Sequence, residues 1–179
     1  AAALIRSGVF PFHAWIPELF DRGRIGPANM FSAPLLGVYA ALVLAVPHAH
    51  PALLRTAAVL GLITAVYGAL LALHQRDARR ACGYLFVSQS ALVVAGLDIP
   101  SREALVGALV LWVSSGLALA GLTRCVLVLE ARRGRLSLDR FHGGYDRMPV
   151  LAACFLILGL ALTGFPGTLG FVGGEMLVR

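Results

Sequence analysis

Arg6-Ser7-Gly8-Val9-Phe10-Pro11-Phe12-His13-Ala14-Trp15-Ile16-Pro17-Glu18 is the stretch around which the rest of the chain is organised. It places one cation at the end of an apolar run, followed by two prolines, a histidine, a tryptophan and a carboxylate. Pro11 and Pro17 each lack a backbone donor and clash with the preceding turn, so a helix entering here is expected to break. A broken helix in an apolar chain leaves polar backbone that persists only inside protein or beside a water-filled cavity. The same residues admit a second account. In it the stretch is a membrane-surface turn, with Trp15 as an interfacial anchor and His13 solvated.

The residues on either side favour a membrane setting. Apolar residues make up 59% of the chain and charged residues 13%, against about 25% charged in soluble domains. Several apolar runs approach the roughly 20 residues that cross a hydrocarbon core. The predicted class is all-α, a polytopic membrane helix bundle with broken helices, forming a single domain over 1–179. The first run lacks a basic start and is too long for a signal peptide.

A net charge of +6 would suggest nucleic acid in a soluble protein; here the placement of arginines in loops accounts for it, and no nucleic-acid partner is expected. Cys82, Cys125 and Cys154 lack metal-ligand spacing and read as small packing residues. No zinc, haem, iron–sulfur, nucleotide, flavin or quinone fingerprint appears, so no cofactor and no catalytic site are expected in this chain.

Spans are predicted over 1–12, 28–46 (kinked at Pro34), 52–73, 81–97, 104–129 and 150–163. A break at Gly164-Phe165-Pro166-Gly167 then precedes a final half-helix. Ser88-Gln89-Ser90 lie mid-span; three adjacent polar residues cannot share one helix face, so neighbouring helices must bury them. Ser114-Ser115-Gly116 is the expected bend of the long fifth span. Arg22, Arg24, Arg76, Arg79, Arg80, Arg132, Arg133, Arg135, Arg140 and Arg147 fall on one set of alternating loops, with Arg55 and Arg102 on the other. By the positive-inside pattern, the Arg-rich side faces the cytoplasm of a bacterial inner membrane.

The opening stretch resembles the signature of the antiporter-like membrane subunits of respiratory complex I and multisubunit cation/proton antiporters, roughly Lys-Ser-Ala-x-x-Pro-Phe-His-x-Trp-Leu-Pro-Asp/Glu. Three further stretches are similar to that family in the same order. They are Gln75-Arg76-Asp77-Ala78-Arg79-Arg80 with Tyr84 and Ser88, then Gly143-Gly144-Tyr145-Asp146-Arg147-Met148-Pro149, then Gly164-Phe165-Pro166-Gly167-Thr168 with Gly170-Phe171-Val172 and Glu175. The resemblance implies a piece of a longer protein, extended on both sides and containing an inverted repeat. It also implies other membrane subunits as partners, and proton or cation translocation coupled to redox chemistry that those partners carry.

The family's proton relay rests on lysines, and this sequence contains none. Arg6 stands at the first lysine position, Leu35 (of Leu35-Leu36-Gly37-Val38-Tyr39) at the second, and Gly116 (of Trp112-Val113-Ser114-Ser115-Gly116) at the third. A desolvated lysine exchanges protons near neutral pH, whereas a guanidinium stays charged. Proton-path candidates are therefore Arg6, His13, Glu18, Gln89, Ser114, Ser115 and Glu175, with Arg6 expected to pair with Glu18 or another carboxylate. Two accounts of Glu175 stay open: buried, it carries a proton; on a water-facing half-helix, it is merely exposed. Helix–helix hydrogen bonding is the plainer account of the serines. A conducting subunit and a non-conducting structural subunit of the same fold both remain open.

Overall fold

Helix α4 (Ala78–Leu97) is the strut to which most of the other helices attach. The computed structural model describes residues 2–24, 26–28, 50–97, 101–140 and 148–178. In it, α4 packs against both α3 (Pro51–Leu73) and α5 (Arg102–Arg133), while α2 (Trp15–Arg22) lies along its N-terminal part. Helices α6 (Pro149–Thr163) and α7 (Leu169–Val178) pack on α5, and the short α1 (Ala2–Ser7) meets α4. Among the described residues the only strand-like pairing is one backbone bridge between Asp77 and Ser137. The predicted second span over 28–46, with Pro34 and Leu35, lies outside the described residues apart from Ala28, as does most of the 143–149 stretch.

By length and composition α3, α4 and α5 can each cross a membrane. Their contacts are those of helices packed where water supplies no drive, made by small residues and hydrogen bonds. Helix α3 buries Gly61, Thr64, Ala65, Gly68 and Ala72 against α4 and leaves Leu62, Ile63, Val66 and Leu70 exposed. The approach is close: a β-carbon added at Gly61 would stand 2.9 Å from the Ala91 carbonyl oxygen. Helices α5 and α7 meet through Gly107 and Gly173, where a β-carbon on either would stand 2.8 Å from the other helix's backbone. The apolar interior falls into two groups. Ile16, Phe20, Phe86, Leu119 and Leu122 anchor one, and Val9, Ala91, Val93, Val94 and Leu97 the other.

Both expected helix breaks are present, with differences in detail. The first comes at Gly8, whose φ of 67° is in the left-handed region, so α1 ends before Pro11 is reached. Pro17 does not break anything. It sits in the first turn of α2, where the missing N–H would have had no intrahelical partner in any case. The second break follows α6, where Gly164 at φ 71° caps the helix. There the Phe165 N–H bonds the Leu160 carbonyl at 3.0 Å and the Gly164 N–H the Ala161 carbonyl at 3.4 Å, a Schellman cap. The bend expected at Ser114-Ser115-Gly116 is absent. Helix α5 runs unbroken for 32 residues, and both hydroxyls bond within its own turns, to the Leu111 and Trp112 carbonyls.

Candidate functional site at the two helix breaks

One turn of α4 serves both breaks. Ser88, Gln89 and Ser90 point to three different neighbours, as their adjacency on a helix requires. The Ser88 hydroxyl donates to the Ala65 carbonyl of α3 at 2.7 Å. The Ser90 hydroxyl donates to the carbonyl of Ser7, the last residue of α1, at 2.6 Å. The Gln89 amide donates to the carbonyl of Leu162, in the last turn of α6, at 3.4 Å. Terminal carbonyls have no intrahelical donor, so this turn closes the frayed ends of two helices that are far apart in sequence. Thr64 of α3 helps at the first break, accepting the Phe10 N–H at 3.1 Å, and the Trp15 indole donates to the Ile5 carbonyl at 3.0 Å.

The same place holds polar atoms that no protein group satisfies among the described residues. Ser7 Oγ and Gln89 Oε1 are buried without a hydrogen-bond partner, as is His13 Nδ1. Ser7 is 1% exposed. Leaving such an atom unsatisfied costs about 1–3 kcal/mol, so these atoms are where a bound water would bond. The His13 ring stacks on Phe10 at 5.8 Å and meets Tyr67 edge-on at 5.4 Å.

The other candidates are dispersed. Arg6 lies over the Trp15 ring at 5.7 Å, a cation–π contact. Glu18, one of the carboxylates expected beside Arg6, is bound by Arg22 at 2.6 Å and Arg80 at 3.3 Å. Ser114 lies beside Gly170 at the second break, with its hydroxyl already bonded to its own helix. Ser115 is buried and likewise bonded within α5. Glu175 is exposed on α7, while its neighbour Gly173 faces α5.

The Arg-rich segments converge on one end of the bundle, as the alternation of loops anticipates. Asp21 joins Arg80 and Arg135, Asp77 joins Arg135, and Arg79 grips Glu130. Glu130 is nearly buried, with 6% of its side chain exposed. The sequence reading passed over it because it sits just where an apolar span gives way to basic residues and looks like a loop charge. Ser7 and Ser90 were missed as site residues for another reason. Their importance lies in a contact 83 positions apart, which no local pattern encodes. Arg124, in the last third of α5, also drew no attention and is exposed.

A bundle of apolar helices broken at Gly8 and Gly164, with both broken ends capped by polar groups of one other helix, is an arrangement that keeps irregular backbone satisfied inside a membrane. The chain belongs to the NADH:quinone oxidoreductase/Mrp antiporter, TM family, whose model matches residues 1–178. That family is one of integral membrane proteins.

Among its relatives, NAD(P)H-quinone oxidoreductase chain 4 1 of Synechococcus elongatus is 31% identical over 174 residues, covering 94% of this chain and 32% of that one. NADH-quinone oxidoreductase subunit 13 of Thermus thermophilus is 31% identical over 179 residues, covering 96% and 38%. The chain thus spans about a third of the length of the curated relatives it matches. A chain in the structure of respiratory complex I from Thermus thermophilus with bound NADH superposes with a TM-score of 0.90 at 29% identity, covering 99% of this chain and 39% of that one. A chain of the Mrp complex from Dietzia sp. superposes equally well, TM-score 0.90, over 99% of this chain and 34% of that one. At 22% identity that match speaks for the fold alone.

Proposed function

We propose that this chain forms part of a membrane subunit of a complex I-like or antiporter-like assembly. It takes part in proton or cation translocation, driven by redox chemistry in partner subunits. The observation that carries this reading is the α4 turn. It holds the ends of two broken helices and presents buried Ser7 Oγ and Gln89 Oε1 with no protein partner among the described residues. Such atoms line a path for water-borne protons without themselves titrating at neutral pH. Arg6 biases the field there but does not release its proton.

The Arg-rich end faces the cytoplasm of a bacterial inner membrane, by the positive-inside rule. One feature favours the non-conducting reading of the same fold. The sequence has no lysine, and the Ser114 and Ser115 hydroxyls are spent on their own helix.

The test is proton uptake by proteoliposomes containing the full assembly, comparing wild type with Gln89→Leu and Ser7→Ala. A loss of uptake in either variant, with the assembly intact by size, supports conduction through this bundle. Unchanged uptake in both selects the structural role.

A further inference from the structure

We propose that Arg124 binds the phosphate of an anionic membrane lipid on the outer face of α5. Val113, Leu117 and Val128 share that face and are 53%, 67% and 42% exposed. At helical spacing they form an apolar stripe with a single cation set into it. No carboxylate or other acceptor engages Arg124 among the described residues. The carboxylates at the same end are already held by other arginines. Glu18 is bound by Arg22 and Arg80, Asp21 by Arg80 and Arg135, and Glu130 by Arg79.

Depth identifies the occupant. About 32 Å of helix separates Glu103, near the opposite end of α5, from Arg124. A hydrocarbon core is about 30 Å thick. Arg124 therefore stands where the core meets the headgroups on the Arg-rich side, and tilt together with its long apolar stem closes any remaining distance. A guanidinium at that level matches a phosphodiester in charge and in paired N–H geometry. Leu117 and Val113, about two and three turns deeper, take the acyl chain. An unpaired cation facing acyl chains is costly, and a lipid phosphate removes that cost without a second protein.

The experiment uses the full chain in vesicles of phosphatidylcholine with one part in five of phosphatidylglycerol. A photoreactive benzophenone side chain replaces Leu117, and adducts are identified by mass spectrometry. The ratio of phosphatidylglycerol to phosphatidylcholine adducts is expected to exceed the ratio of the two lipids in the vesicle about five-fold, the Boltzmann factor for about 1 kcal/mol per basic residue at an anionic surface. Arg124→Gln returns the adducts to the mole share, and Arg124→Lys keeps most of the excess. Adducts at the mole share in the parent protein would overturn the proposal, as would an excess that survives Arg124→Gln. A peptide adduct from a neighbouring subunit in place of lipid overturns it too. The readout does not depend on whether the bundle conducts.

Discussion

Replacing Arg79 with methionine should destabilise the bundle far more than removing its partner's charge does. Arg79 Nε lies 3.0 and 2.8 Å from the two carboxylate oxygens of Glu130, and Nη2 lies 2.7 Å from one of them. The Glu130 side chain is 6% exposed and that of Arg79 26%. Arg79→Met strands a nearly buried carboxylate, and breaking such a pair costs about 3–5 kcal/mol. Glu130→Gln leaves a cation that is a quarter exposed and can still donate to the Gly23 carbonyl. Its cost should be nearer 1–2 kcal/mol, within the range for hydrogen bonds to charged groups.

The double variant Arg79→Met/Glu130→Leu removes both charges and should be more stable than Arg79→Met alone, since apolar replacement of a buried pair is often neutral. The assay is reversible denaturant unfolding of the full protein in detergent micelles, run as a double-mutant cycle. Equal small losses in the two single variants, or strict additivity in the double, would refute this account of the pair. The clamp also bears on the candidate site. It fixes the N-terminal end of α4 to α5, and about 15 Å further along the same rigid helix stands the Gln89 turn.

Two more outcomes follow from the packing and the charge pattern. Gly107→Val places branched carbon where a β-carbon already stands 2.8 Å from the Gly173 carbonyl oxygen. It should prise α7 from α5 at a cost of about 1–3 kcal/mol, while Gly116→Val, where nothing among the described residues lies within 4 Å, should be tolerated; unfolding midpoints of the two variants check this. Single cysteines placed near Arg133 and near Arg102, in a background free of Cys82, Cys125 and Cys154, should react with an impermeant reagent from opposite faces, Arg133 from the cytoplasmic one. Labelling of both from one face would overturn the orientation.

The sequence by itself determined the class of fold, because the terms that fix it are local. Apolar runs of spanning length, the break at Gly164-Phe165-Pro166-Gly167, and the alternation of arginine-bearing loops can each be read within one short window. So could the ends of α3 and α6, which the structure places within a residue of expectation. Helix interruption at Pro17 was misjudged because proline's effect depends on where the helix begins, and the start at Trp15 is set by packing of Ile16 and Phe20 against α4. The bend expected in α5 failed for a related reason. Serine hydroxyls can satisfy themselves within their own turn, and a continuous helix then needs no partner.

Only the tertiary structure decided which polar groups meet. Glu18 is bound by Arg80, a residue 62 positions away, because α2 lies against the N-terminal end of α4. Ser90 and Gln89 became caps for α1 and α6 because one turn of α4 passes both helix ends. A sequence lists the donors and acceptors of buried polar groups, but their pairing depends on helix rotation and register. Those are fixed by close contacts such as Gly68 against Ser88 and Gly83 against Pro17, made between segments that no local pattern joins.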